Sequence, residues 1–193
     1  STWFRDYLYI PLGGSRGGTW LKVRNTFILF VVSGFWHGAN WTFIAWGFLN
    51  ALYIMPSIIL STNRKNLDVV AKGKYFPSVK EFLQIGLTFS LIVFAWIFFR
   101  ADSIEHAFSY ISGIFSSSLF EIPHFQGIRM AVLLGFIIAG FMIVEWNGRE
   151  GQFAIANLGS SWKRKYRWSL YFAIITMLFI FSGKEQQFIY FQF

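Results

Sequence analysis

The 193 residues are 55% hydrophobic, 22% aromatic and only 13% charged, where an ordinary soluble domain is about one quarter charged. That composition excludes a soluble globular domain, and the absence of cysteine excludes disulfides, thiolate metal sites and Cys nucleophiles. The net charge of +8 comes from Lys and Arg in short stretches between apolar runs. Membrane proteins keep such residues on the cytoplasmic side, so lipid is expected as a partner and nucleic acid is not.

In chain order, residues 1–25 mix aromatic, basic and glycine residues. Trp3, Phe4, Tyr7, Leu8, Tyr9 and Ile10 surround the Arg5-Asp6 pair, a pattern that suits a segment at headgroup level. Pro11 ends it, and Gly13 to Gly18 form a turn. That turn reads either as a mobile loop or as a lid, or as a cationic phosphate contact through Arg16, Lys22 and Arg24. It lacks the Gly-Lys-Ser/Thr ending of a phosphate-binding P-loop. No signal peptide is read at Ser1, and the chain is expected to be the C-terminal portion of a longer membrane domain.

From Thr26 to Leu60 the chain is apolar throughout, too long for one span and tight for two crossings with a turn. Arg5, Arg16, Lys22 and Arg24 precede this run, and Arg64, Lys65, Lys72, Lys74 and Lys80 follow it. Both flanks therefore carry the cytoplasmic signature, and the run should enter and return as a re-entrant or broken-helix hairpin. Three clear spans follow, over 82–99, 130–146 and 168–182. The loop 147–167 is basic and should be cytoplasmic; the loop 100–129 and the tail Lys184 to Phe193 should face outward. Residues 102–116 place Ile104, Ala107, Phe108, Ile111 and Phe115 near helical spacing, as in an amphipathic helix on the outer surface. The fold expected is all-α, a polytopic transmembrane helical arrangement with His37 near the apex of the hairpin.

An imidazole inside an apolar run is costly and by default marks a functional site. His37 stands in Ser33-Gly34-Phe35-Trp36-His37-Gly38-Ala39-Asn40-Trp41, with no Asp, Glu or other His at ligand spacing. No metal or bound cofactor is expected on that account. His106 and His124 fall in the opposite, exposed loop. A structural His bonded to a backbone carbonyl remains one reading. The other is a general base that takes a proton from an alcohol as it attacks an activated acyl carbon. If the helix continues, Asn40 shares the face of His37 and either holds its tautomer or donates to the developing oxyanion. Trp36 and Trp41 either wall a pocket against water or belong to an interfacial aromatic belt.

The opening Ser-Thr-Trp-Phe-Arg-Asp-Tyr-Leu-Tyr-Ile-Pro-Leu-Gly-Gly and the stretch Ser-Gly-Phe-Trp-His-Gly-Ala-Asn-Trp-Thr-Phe-Ile-Ala-Trp-Gly resemble the membrane-bound O-acyltransferase family, within it the alginate O-acetylation branch. Trp96-Ile97-Phe98-Phe99-Arg100-Ala101-Asp102-Ser103 and the ending Phe188-Ile189-Tyr190-Phe191-Gln192-Phe193 agree with that pattern. The resemblance implies a multi-pass protein of the bacterial inner membrane. It implies transfer of an acetyl group from a cytoplasmic thioester, acetyl-coenzyme A or a carrier-protein phosphopantetheine, to an exopolysaccharide such as alginate by way of a periplasmic partner protein. His37 matches the family's active-site histidine, and a second functional histidine of the family precedes the segment matching Ser1 to Leu12. Asn40 would support His37, and Trp36, Trp41, Arg5, Asp6 and Arg16 complete the candidate substrate-binding set. Two rivals stand beside this: a transporter or channel subunit with a discontinuous helix at Gly34 to Asn40, and a non-catalytic assembly scaffold docking through the loop 100–129.

Overall fold

A computed structural model describes residues 2–62, 68–121, 125–156, 159 and 161–181. The expectations for His124, Ser182 and the tail Lys184 to Phe193 fall outside these residues. Among the described residues all regular structure is helical, in two units, Ser1–Gln126 and Gly127–Phe193.

In the first unit, α1 (Thr2–Phe4) continues into a π-helical turn, Arg5–Tyr9. The chain then turns through Gly13 and Gly14, whose φ angles of 104° and 57° favour glycine. Helix α2 (Gly18–His37) and α3 (Trp41–Ile59) follow as an antiparallel pair, then α4 (Val79–Arg100) and α5 (Ile104–Ile114). A capping box starts α4: the Ser78 hydroxyl accepts from the Glu81 amide, and the Glu81 carboxylate accepts from the Ser78 amide. Ser103 caps α5 by accepting from the His106 amide at 3.1 Å. In α5 Ala107 is fully buried, and the Phe108 ring meets Phe98 of α4 edge-on at 5.7 Å.

Helices α2 and α3 are separated by Gly38 to Asn40. These two arms are helices of 20 and 19 residues, because α2 starts at Gly18 instead of at Thr26. Arms of that length rise roughly 30 Å each, the thickness of a bilayer's hydrocarbon core. Helices α3, α4 and α6 are long and apolar enough to cross a membrane, whereas α2 carries Lys22 and Arg24 in its first two turns.

The two arms cross where Gly34 and Gly47 meet. A methyl group on Gly34 would strike the Phe43 carbonyl, and one on Gly47 would strike the Phe30 carbonyl. Small residues let helix backbones approach in this way, so the packing energy comes from direct backbone contact. Farther from the turn, Phe27 and Phe48 meet edge-on at 5.5 Å.

Residues 2–14 fold back along α2. Asn25, fully buried, donates from Nδ2 to the carbonyls of Leu12 and Gly14 at 3.1 and 3.0 Å, and Arg24 Nη2 donates to the Leu12 carbonyl at 3.1 Å. The Asn25 carbonyl oxygen in turn accepts from Arg24 Nε and Nη2. At the other end, Phe4 meets Trp36 edge-on at 5.9 Å. The entry segment is thus pinned lengthwise to the hairpin, and the glycine turn is tied down by a buried amide.

The second unit holds α6 (Ile128–Gly148) and α7 (Arg164–Phe181). Where α6 ends, Arg149 donates to the Trp146 carbonyl at 2.6 Å and lies 4.3 Å over the Trp146 ring, a cation–π contact at the end of an apolar helix.

Replacing Gly47 with Ala forces the α2–α3 crossing apart. Overpacking of this kind costs about 1–3 kcal/mol, so thermal unfolding of the detergent-purified full-length protein should move down in temperature. Gly86→Ala is the matched control, since a Cβ there meets nothing within 4 Å. Equal melting temperatures for the two variants would show that the close crossing is not a stabilising contact.

Candidate functional site

His37 is the last residue of α2. Gly38 stops the helix with φ and ψ both at 157°, and a side chain there would come within 2.6 Å of the Phe43 ring. Asn40 then starts α3, accepting the Thr42 amide on Oδ1 at 3.1 Å. Helix end, glycine and cap follow one another, so the hairpin turns within three residues of the imidazole.

The His37 ring is half-buried and lies among aromatic rings from α2, α3 and α4. Trp36 stands at 5.5 Å, Trp46 at 5.4 Å, Phe43 at 6.4 Å and Phe99 at 5.1 Å, centroid to centroid. Trp46 and Phe99 meet it edge-on, at interplanar angles of 90° and 79°. Phe99 also touches Phe43, Trp46 and Trp96 at 5.0 to 5.2 Å, so it holds the cluster together from α4. Neither ring nitrogen of His37 enters a hydrogen bond among the described residues. Flat apolar walls fix the ring's plane while leaving its lone pair and its N–H to a ligand.

The helical relation expected between His37 and Asn40 is not formed, because the helix stops at Gly38. The Asn40 amide is used at both ends: Oδ1 caps α3, and Nδ2 donates to the Asp102 carbonyl at 3.1 Å. It ties the hairpin turn to the α4–α5 connection. Trp41, 74% exposed, lies outside the ring cluster, and Trp46 takes its place. Five residues along an α-helix rotate a side chain by about 140° from its starting direction, which puts Trp41 and Trp46 on different faces of α3. Trp36, 59% exposed, stands beside the imidazole.

The basic residues read from sequence as one flank are divided. Phe4 packs on Trp36, so Arg5 and Asp6 lie towards the His37 end of the hairpin. They form an ion pair, Arg5 Nε donating to Asp6 Oδ1 at 2.7 Å, and that hydrogen bond holds the exposed Asp6 carboxyl below the usual carboxylate range. Arg16, Lys22 and Arg24 mark the opposite end of α2. Lys22 stands 15 residues before His37, a rise of roughly 22 Å. Arg24 already bonds Asn25 and Leu12.

Phe43, Trp46 and Phe99 were not singled out by sequence reasoning. Each sits inside a quoted motif, but the signal that joins them is a three-helix contact. Thr42 is a further finding: it is fully buried, and its hydroxyl has no hydrogen-bond partner among the described residues. No cluster of three or more potential metal ligands exists among the described residues.

Residues 1–87 match the model of the membrane-bound O-acyltransferase family. The chain is 32% identical over 149 residues to a probable alginate O-acetylase AlgI of Pseudomonas aeruginosa, an alignment covering 77% of this chain and 26% of that protein. It is 40% identical over 114 residues to a peptidoglycan O-acetyltransferase of Helicobacter pylori, covering 59% and 20%. A teichoic acid D-alanyltransferase of Lacticaseibacillus rhamnosus is 26% identical over 105 residues, covering 49% and 26%. The chain spans about a quarter of the length of the curated relatives it matches. No solved structure matches it.

Two substitutions test this geometry. Thr42→Val keeps the side chain's shape and removes a buried hydroxyl whose unmet desolvation costs about 1–3 kcal/mol, so the melting temperature should rise; a fall would mean that the hydroxyl has a partner. Asn40→Asp keeps the cap on α3 and loses the donor to the Asp102 carbonyl, whereas Asn40→Ala loses both. The alanine variant should therefore be the less stable by the value of a cap, about 0.5–2 kcal/mol, read from the same melts.

Proposed function

We propose that the protein acts as a member of the membrane-bound O-acyltransferase family, whose model its residues 1–87 match, and moves an acyl group, acetyl in the first instance, from a thioester donor to a hydroxyl of a cell-envelope polysaccharide, with His37 as general base. The observation that carries this is the uncommitted imidazole at the hairpin turn, walled by Trp36, Phe43, Trp46 and Phe99.

In the proposed reaction, a ring nitrogen of His37 takes the proton of the acceptor hydroxyl as its oxygen attacks the thioester carbonyl. The tetrahedral intermediate collapses by breaking the carbon–sulfur bond, and the proton passes from the imidazolium to the departing thiolate. The products are an ester and a free thiol. General-base assistance of this kind contributes about 10²–10⁴-fold. The aromatic walls keep bulk water, a competing nucleophile, away from the thioester.

The division of charge along α2 suits a donor that enters from the basic end. A phosphate held near Lys22 and Arg16 leaves roughly 22 Å to the imidazole, a distance for the long flexible arm of a pantetheine thioester. By the distribution of Lys and Arg in the flanks, that end faces the cytoplasm and the Arg100 end faces outward. The acceptor then arrives from the outer side, directly or through a periplasmic partner protein. The relatives' names support acceptors of the alginate and peptidoglycan kind. A multi-pass setting in a bacterial inner membrane follows from the same reading.

In proteoliposomes holding the full-length protein, acetyl-coenzyme A and a glycan acceptor with its partner, wild type should release free thiol. His37→Ala should release it at least about a hundredfold more slowly while melting at the same temperature. Equal rates would make His37 a structural residue.

A further inference from the structure

A cleft of about 590 Å³ runs between α4 and α5, at the His37 end of the hairpin but outside the aromatic cluster. One wall belongs to the spanning helix α4 and is apolar, with Val93 and Trp96 both about half exposed. Its lining also carries the polar side chains Arg100, Asp102, His106 and Tyr110. The Arg100 guanidinium and the Tyr110 hydroxyl take part in no hydrogen bond or ion pair among the described residues. His106 Nδ1 accepts the Asp102 amide at 3.4 Å, which leaves its Nε2–H to donate outward. The Asp102 carboxylate is 89% exposed, 3.5 Å from that already engaged Nδ1.

We propose that this cleft is a headgroup site for a phosphoethanolamine-type phospholipid, independent of the acyl-transfer reaction. Three donors, Arg100, His106 Nε2–H and Tyr110, suit a phosphate. A nearby carboxylate without a hydrogen-bonding cation suits an ammonium. A cation and an anion side by side match a zwitterion and offer no advantage to a head with net negative charge, which Asp102 repels. The apolar wall of α4 gives an acyl chain a path that a soluble phosphate or a glycan would leave empty. Height agrees as well: Arg100 closes a 22-residue helix able to cross a membrane, and α5 is the amphipathic helix beside it, which is the level of lipid headgroups.

The test uses the full-length protein in phosphatidylcholine nanodiscs doped with equal small amounts of phosphatidylethanolamine and phosphatidylglycerol, with the lipid retained on purification measured by mass spectrometry. Wild type should enrich phosphatidylethanolamine over both others, because a quaternary ammonium has no N–H to give Asp102. Arg100→Gln should reduce that enrichment about fivefold, the value of one basic residue at a headgroup, and Arg100→Lys should keep most of it. Asp102→Asn should shift the preference to phosphatidylglycerol, since it removes the repulsion and keeps the phosphate donors. This last variant reads selectivity instead of amount, so it stays informative if Arg100→Gln folds poorly. No enrichment in wild type, enrichment of phosphatidylglycerol, or enrichment indifferent to Arg100 and Asp102 overturns the proposal. Displacement of the lipid by inorganic phosphate alone would also overturn it, because the site would then need no tail.

Discussion

The close approach of α2 and α3 at Gly34 and Gly47 is the contact on which the rest of the first unit depends. With backbone against backbone at that point, the last turn of α2 lies over the first turns of α3, and His37 faces Phe43 and Trp46. Side chains at either glycine would separate the arms and open the wall behind the imidazole. The crossing also explains the economy of the turn. Gly38 and Asn40 need only stop one helix and start the next, because the distance between the arms has already been set one turn earlier.

Polar groups within this apolar unit serve two different purposes. Asn25 and Asn40 each bond protein partners through both oxygen and nitrogen and hold backbone to backbone: one pins the entry segment to α2, the other joins the hairpin turn to the α4–α5 connection. A buried amide left unmet is expensive, so fully buried Asn25 specifies a single arrangement of the segments it joins. Among the described residues, the His37 ring is held by ring contacts alone. Aromatic edges fix orientation without consuming the hydrogen-bonding capacity of the ring.

The structure also gives the hairpin two chemically distinct ends. Arg16, Lys22 and Arg24 lie at one, while the imidazole, the Arg5-Asp6 pair and the α4–α5 connection lie at the other. Under the proposed function, a donor carrying phosphates and an acceptor carrying hydroxyls would approach the ring from these two ends. The separation follows from the length of α2, with the basic residues at its start and His37 at its end.

The sequence by itself determined the class of fold and pointed to His37 as the candidate site residue. Apolar runs, their lengths and the bias of Lys and Arg depend on transfer between water and hydrocarbon, a property of each stretch alone. An imidazole in such a run is conspicuous for the same reason. Local periodicity and glycine placement are the grounds on which an amphipathic helix over 102–116 and a break in the apolar run were expected. Only the tertiary structure decided which aromatic rings surround His37, since Trp41 and Trp46 are equally plausible until the phase of α3 and the approach of α4 are known. Only it showed that Asn40 looks towards Asp102, 62 residues away in sequence, and that Arg5 parts company with Arg16. Those outcomes rest on contacts between segments remote in the chain, and no local pattern of residues encodes which of several compatible partners a side chain will meet.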